Sequence, residues 1–307
     1  MADILTRGAL FPEQLIPNLL NLVKGHSTIA RIAGQTPIAF NGQREFTFTL
    51  DKDVDIVAEN GAKGKGGATV APVTIVPIKF EYGVRVSDEF KYGSEDVRLQ
   101  YLTAFSDGFA RKLARGLDIA AFHGLNPRTK AASAVVGANH FDAVDTSSNP
   151  IVTVTTYTSG TDAPDDKLDT AIAAITALDG DVTGIAMAPS YAADMAKVKA
   201  SGIVQYPEFR FGGKPAAFAG MQLDINPTVS VVATGGKADL CIVGNFRDCF
   251  KWGYAKEMPL EVIEYGNPDN DATLGDLKGH NQVYLRCEAY LGWAIMNPAE
   301  FGIIRTA

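Results

Sequence analysis

Residues 43–86 read QREFTFTLDKDVDIVAENGAKGKGGATVAPVTIVPIKFEYGVRV. Along the outgoing arm apolar residues alternate at Phe46, Phe48 and Leu50, and again at Val54 and Ile56. The returning arm alternates at Thr74, Val76, Ile78, Phe80, Tyr82, Val84 and Val86. A period of two is the mark of a half-buried strand. Gly61 to Gly67, with Lys63 and Lys65 among its glycines, reads as the turn between the arms. The stretch therefore predicts one long β-hairpin. At about 3.3 Å per residue, arms of ~13 residues reach roughly 45 Å. A compact chain of this size has a radius of gyration near ~19 Å. An isolated two-stranded ribbon is marginal in water. Its apolar face is expected to lie on something else, and a second copy of the same chain would serve.

Directly after the hairpin comes the strongest helical signal. Ser94 suits an N-cap, and Glu95 and Asp96 place negative charge on the first turn. Leu99, Leu102, Phe105, Phe109, Leu113 and Leu117 recur at spacings of three and four, and Gly124 supplies a stop. The spacing predicts a helix over 94–123, about 43 Å long, against a typical length of ~12 residues. Such a helix crosses a whole molecule as a spine.

The flanking regions read more simply. Residues 1–25 carry Leu10, Phe11, Leu15 and Ile16, interrupted by Pro12 and Pro17, and suggest an arm or short helix. Residues 165–202 alternate helix, buried strand and helix, with the second helix capped by Ser190. Strand-like pieces follow at 221–225 and 229–233. In the last seventy residues strands are expected at 240–243, 260–265 and 283–296.

Composition excludes several classes. The 307 residues carry a net charge of −7, which argues against a dedicated nucleic-acid binder but not against a protein that encloses nucleic acid. Three widely spaced cysteines, Cys241, Cys249 and Cys287, make no disulfide framework, and Cys241 and Cys249 read as small buried hydrophobes, not a metal site. No basic and apolar leader opens the chain, and no apolar run approaches a membrane span. The four histidines, His26, His123, His140 and His280, lie in no ligand motif, so no metal or cofactor is expected. The glycine-lysine tip matches no phosphate-loop pattern and opens no helix. No nucleophile signature is present either. Trp252 and Trp293 read as packing residues. These negatives favour a structural subunit over an enzyme.

The order of elements resembles the major capsid proteins of tailed bacteriophages, which share the Hong Kong-97-type shell fold. The resemblance is carried by Leu10-Phe-Pro-Glu-Gln-Leu-Ile-Pro17 as an arm and Ile56-Val-Ala-Glu-Asn-Gly61 as a hairpin tip. It continues in Val84-Arg-Val-Ser-Asp-Glu-Phe90 leading into the spine, Met187-Ala-Pro-Ser-Tyr-Ala-Ala-Asp-Met-Ala196, and the closing strand Val283 to Pro298. It implies an α+β chain with an N-terminal arm (1–25) and an extended hairpin, the E-loop (43–86). A peripheral P-domain would take 26–42, 87–150 and 240–300, and an axial A-domain 151–239 and 301–307. It further implies self-assembly into hexamers and pentamers around double-stranded DNA, with separate scaffold, portal and cement proteins as partners. Assembly would take place in the host bacterial cytoplasm, and the virion would be the final location. Intersubunit contacts are expected from Phe46, Phe48, Leu50, Lys63, Lys65, Val76, Ile78, Phe80, Leu10 and Phe11. The alternative within the same fold is an encapsulin-like compartment that loads protein cargo.

Overall fold

The computed structural model describes residues 26–92, 94–144, 151, 153–256 and 260–307. The arm, with Leu10 and Phe11, lies outside the described residues. A short helix α1 (Thr28–Ile32) comes first, with the Ser27 hydroxyl accepting from Ala30 N–H as its cap. Strands β1 (Gln43–Leu50) and β2 (Ala68–Ile75) then pair antiparallel from Gln43 opposite Ile75 to Leu50 opposite Ala68. This is the predicted ribbon, but its paired arms are eight residues long, about 27 Å. Residues 51–67 carry no regular structure beyond a turn in which Gly61 N–H donates to the Ala58 carbonyl at 2.8 Å.

The expected single returning strand is two strands. The ladder stops at Ile75, and Val76-Pro77 separates it from β3 (Ile78–Ser87). Proline has no N–H to give to a ladder. Beyond it the chain changes partner, and β3 pairs with β13 from Ile78 opposite Leu291 to Ser87 opposite Gln282.

The spine is α2 (Glu95–His123), 29 residues long, ended by Gly124 in the left-handed conformation at φ 64°. It starts after Ser94 as expected, although the Ser94 hydroxyl makes no capping bond. From Leu102 to Phe122 its inner face is buried, whereas Val97, Leu99 and Tyr101 on the opening turns are exposed. A short α3 (Phe141–Val144) lies beyond it.

The middle of the chain builds a six-stranded sheet. Its elements are β4 (Thr153–Tyr157), α4 (Pro164–Thr176), β5 (Gly184–Met187) and α5 (Pro189–Met195). A small pair, β6 (Lys199–Ala200) and β7 (Ile203–Val204), precedes β8 (Ala217–Phe218) and β9 (Met221–Ile225). Pro189, not Ser190, opens α5. Residues 227–230 form a 3-10 turn capped by the Asn226 side chain, where a strand was expected over 229–233. β10 (Asp239–Gly244) also lies in this sheet, whose order is β4-β14-β10-β5-β9-β8 with β14 (Phe301–Thr306). Residues 239–244 therefore pair with strands from the middle of the chain and from its end, while the other strands expected within 240–300 lie in the second sheet. β11 (Phe250–Lys256), β12 (Leu260–Ile263) and β13 (Gln282–Ile295) complete the second sheet. There the 14-residue β13 carries β3 on one edge and β11 and β12 in succession along the other.

One apolar core joins the spine to both sheets. Its centre is aromatic: the Phe141 ring lies 5.0 Å from Phe301, 5.7 Å from Phe250, 5.8 Å from Phe122 and 6.0 Å from Phe246. Trp252 and Trp293 are fully buried, and each indole N–H donates to a carbonyl, of Ala33 and Asn139 respectively. The three cysteines are buried and free.

A polar node pins α1 to the spine. Asp118 accepts from Ser27 Oγ at 2.5 Å, Thr28 N at 3.0 Å, Ile29 N at 3.2 Å and Thr228 Oγ1 at 2.9 Å. Complete burial pushes its carboxyl up to about 6, against the pull of these four donors.

Candidate assembly surface

The ribbon has two unlike faces, because residues directly opposite in an antiparallel pair point the same way. One face carries Gln43, Glu45, Thr47, Ala71, Val73 and Ile75. At its root Ile75 is buried with Ile38 and Ala294, Val73 packs beside them, and Glu45 forms an ion pair with Lys251. This face ties the ribbon to its own molecule.

The opposite face has no such partner. Phe46 lies opposite Pro72, Phe48 opposite Val70, and Leu50 opposite Ala68. Phe46, Phe48, Leu50 and Val70 are 65, 65, 66 and 55% exposed. Val54 and Ile56 extend the apolar surface, fully exposed, into the tip. A contiguous apolar stripe on a water-facing ribbon makes this face the candidate interaction surface. Two contacts close the base of the tip: Gly67 N–H donates to Asp51 Oδ1 at 2.6 Å and Lys52 Nζ to the Lys65 carbonyl at 3.1 Å. Lys63 and Lys65 are exposed there.

The remaining expected contact residues divide. Val76 is exposed at the junction. Ile78 and Phe80 instead pack against the chain's own core, with the Phe80 ring 6.3 Å from Trp293. Sequence reading placed them with the ribbon because the alternation runs unbroken through Pro77. Tyr92, Val97 and Tyr101 form a second exposed apolar group at the spine's start. Leu99 belongs with them, although its spacing had put it on the buried stripe.

One group among the described residues could hold a metal ion: His123, Asp142 and Asp239. Burial and the facing Asp142 carboxylate push Asp239 up to about 7, with Arg305 opposing. These residues are far apart in sequence, and no local spacing announces them.

The phage capsid family model matches residues 7–305. Among solved structures, a chain from Mycobacterium phage Ogopogo is 29% identical, with a TM-score of 0.76 and 92% of each chain covered. One from Gordonia phage Cozz is 24% identical, with a TM-score of 0.72, 92% of this chain and 87% of that one covered. The capsid of a native GTA particle shares the fold at 14% identity, with a TM-score of 0.62 over 91% of this chain and 90% of that one. No curated protein sequence matches the chain significantly. No helix among the described residues is long and apolar enough to cross a membrane. A family model spanning nearly the whole chain, over a mixed helix-and-sheet fold of the Hong Kong-97 type, places the protein: it belongs to the phage capsid family, the structural shell proteins of tailed phages.

Proposed function

We propose that this chain is the subunit of an icosahedral phage head, assembling into hexamers and pentamers that enclose double-stranded DNA. In this reading the ribbon and its tip, residues 43–75, are the E-loop. The spine with the β13 sheet forms the P-domain, and the six-stranded sheet forms the A-domain. The observation that carries the reading is the division of the ribbon's faces. One is anchored at its root, and the other presents Phe46, Phe48, Leu50 and Val70 to water.

The physics of assembly follows from that division. Burying an exposed Phe or Leu side chain contributes about 1.5–3 kcal/mol. Three such side chains give roughly 5–9 kcal/mol gross per ribbon, before ordering and association costs. A head-to-tail contact of this kind is heterologous, and rings close when its rotation closes. Each subunit in a ring then gives one ribbon and receives one. The negative net charge of −7 suits loose enclosure of DNA, in which phosphate contacts are non-specific. Scaffold, portal and cement proteins are further partners in this reading, and host cytoplasm is the place of assembly.

The test is to purify the chain and a variant lacking Glu59 to Gly67, then size and image both. Closed shells from the intact chain and a folded, unassembled variant are expected. Normal shells from the variant would sink the E-loop reading, and a small discrete oligomer from the intact chain would sink the shell reading. Particles filled with protein cargo instead of DNA would point to an encapsulin-like compartment, which nothing in the match to phage capsids favours.

A further inference from the structure

His123 closes the spine, Asp142 lies on α3, and Asp239 opens β10. Three separate parts of the chain thus meet at one buried point. His123 Nδ1 lies 3.1 Å from Asp142 Oδ2 and 3.9 Å from Asp239 Oδ2. All three ligand atoms lie within 4.8 Å of one another.

The other atoms of these groups are already engaged. His123 Nε2 lies 3.2 Å from the Thr228 carbonyl oxygen. A carbonyl only accepts, so Nε2 carries a proton, and in the neutral ring the Nδ1 lone pair points at the carboxylates. Arg305 Nε donates to Asp239 Oδ1 at 2.6 Å, and Arg305 Nη2 to Asp142 Oδ1 at 2.8 Å. Both Oδ2 atoms remain turned toward Nδ1. Asp239 is 1% exposed, and its Oδ2 has no hydrogen-bond partner. A buried carboxylate oxygen without a donor is costly. Three electron-rich atoms facing one another call for a cation or a proton between them.

We infer that His123 Nδ1, Asp142 Oδ2 and Asp239 Oδ2 form a site for a divalent transition-type cation, zinc foremost. Zinc–nitrogen and zinc–oxygen bonds of about 2.0–2.2 Å put tetrahedral ligands roughly 3.3–3.5 Å apart. The observed 3.1 and 3.9 Å flank that separation. The surrounding bonds match as well. A metal-bound imidazole donates its other N–H to a carbonyl, here Thr228, and ligating carboxylates are themselves held, here by Arg305. Imidazole disfavours magnesium and calcium, which take oxygen ligands. Three protein ligands leave a fourth position for water. The bound ion joins the end of the spine to α3 and the six-stranded sheet, so its role is structural. The competing occupant is a proton, either on Nδ1, making an imidazolium bonded to Asp142, or on Asp239, shared with the facing Asp142 carboxylate.

The test uses the full chain, stripped with chelator and titrated with Zn2+ at neutral pH. One equivalent per chain and a chelator-reversible rise in Tm are expected. His123→Gln and Asp239→Asn should each bind at least about tenfold more weakly. Zinc-edge X-ray absorption of the loaded wild type should show one imidazole among nitrogen and oxygen ligands, a reading that stands if either variant fails to fold. No zinc uptake by the folded wild type overturns the site, as does undiminished uptake in both variants. A zinc spectrum without imidazole also overturns it and leaves the proton as the occupant.

Discussion

Phe48 and Val70 face each other across the ribbon on its outward side, each more than half exposed. A cross-strand apolar pair contributes a few tenths to about 1 kcal/mol within one chain, far less than it would contribute if covered. Phe46→Asp combined with Phe48→Asp should therefore leave the monomer's stability within about 0.5 kcal/mol of the parent, as for other exposed positions. Assembly should be lost. Thermal melting and sizing by light scattering check the two halves separately; intact shells from the double variant would remove this face from the interface.

Asp118→Asn should destabilise the fold by roughly 2–4 kcal/mol at neutral pH. Its amide N–H2 meets a site built of donors from Ser27, Thr28, Ile29 and Thr228. The pH dependence has a definite sign. The carboxyl sits at about 6 in the fold, above about 3.9 when unfolded. Its stabilising contribution is therefore full below about pH 4 and declines as pH rises through about 6. The wild type's advantage over the variant should shrink by roughly 2–3 kcal/mol across that window. Denaturant unfolding of both proteins at several pH values measures the difference; a constant or growing gap would contradict the assignment.

Gly253→Ala should cost about 2–3 kcal/mol or more. A Cβ there would lie 1.7 Å from the Thr36 carbonyl oxygen. The clash is with backbone, held in place by Thr36 N–H donating to the Trp252 carbonyl at 2.8 Å, so it cannot be relieved by turning a side chain. A lowered denaturation midpoint with an unchanged slope is expected; an unchanged midpoint would mean that residues 35–38 can move aside.

Phe141→Ala should cost about 3–5 kcal/mol, since four other phenylalanine rings lie within 6.0 Å of it. Phe141→Leu should cost about half as much, because most of the volume is kept. Equal losses for both substitutions would show that ring geometry, not volume, is what the cluster needs.

The spine was legible because its signals are local. A stripe at spacings of three and four, a serine before it and a glycine after it placed both ends within one residue. The ribbon was legible as alternation but not in extent. Parity is unchanged across Val76-Pro77, so the pattern cannot reveal that Ile75 and Ile78 belong to different sheets. Strands β11 and β14 gave no clear signal. Gly253 interrupts the first, and the second is a nearly continuous apolar run behind Pro298, buried on both faces. Residues 229–233 looked strand-like from composition, yet Asn226 and Pro227 impose a tight turn just before them. The His123, Asp142 and Asp239 cluster was invisible for a different reason. Its members converge through tertiary packing, and a motif search reads only neighbours.

The change of partner at Val76-Pro77 makes the ribbon a cantilever. Among the described residues its support is the buried Ile75 with Val73 beside it, and the ion pair of Glu45 with Lys251, while β3 just beyond is clamped along ten residues of β13. Leverage follows from those proportions. Rotating an arm of about 27 Å by about 10° at its support moves the free end by roughly 5 Å, the spacing of one strand from the next. A small change at Val76-Pro77 can thus carry the ribbon's far end by a full strand spacing while β3 stays fixed on β13.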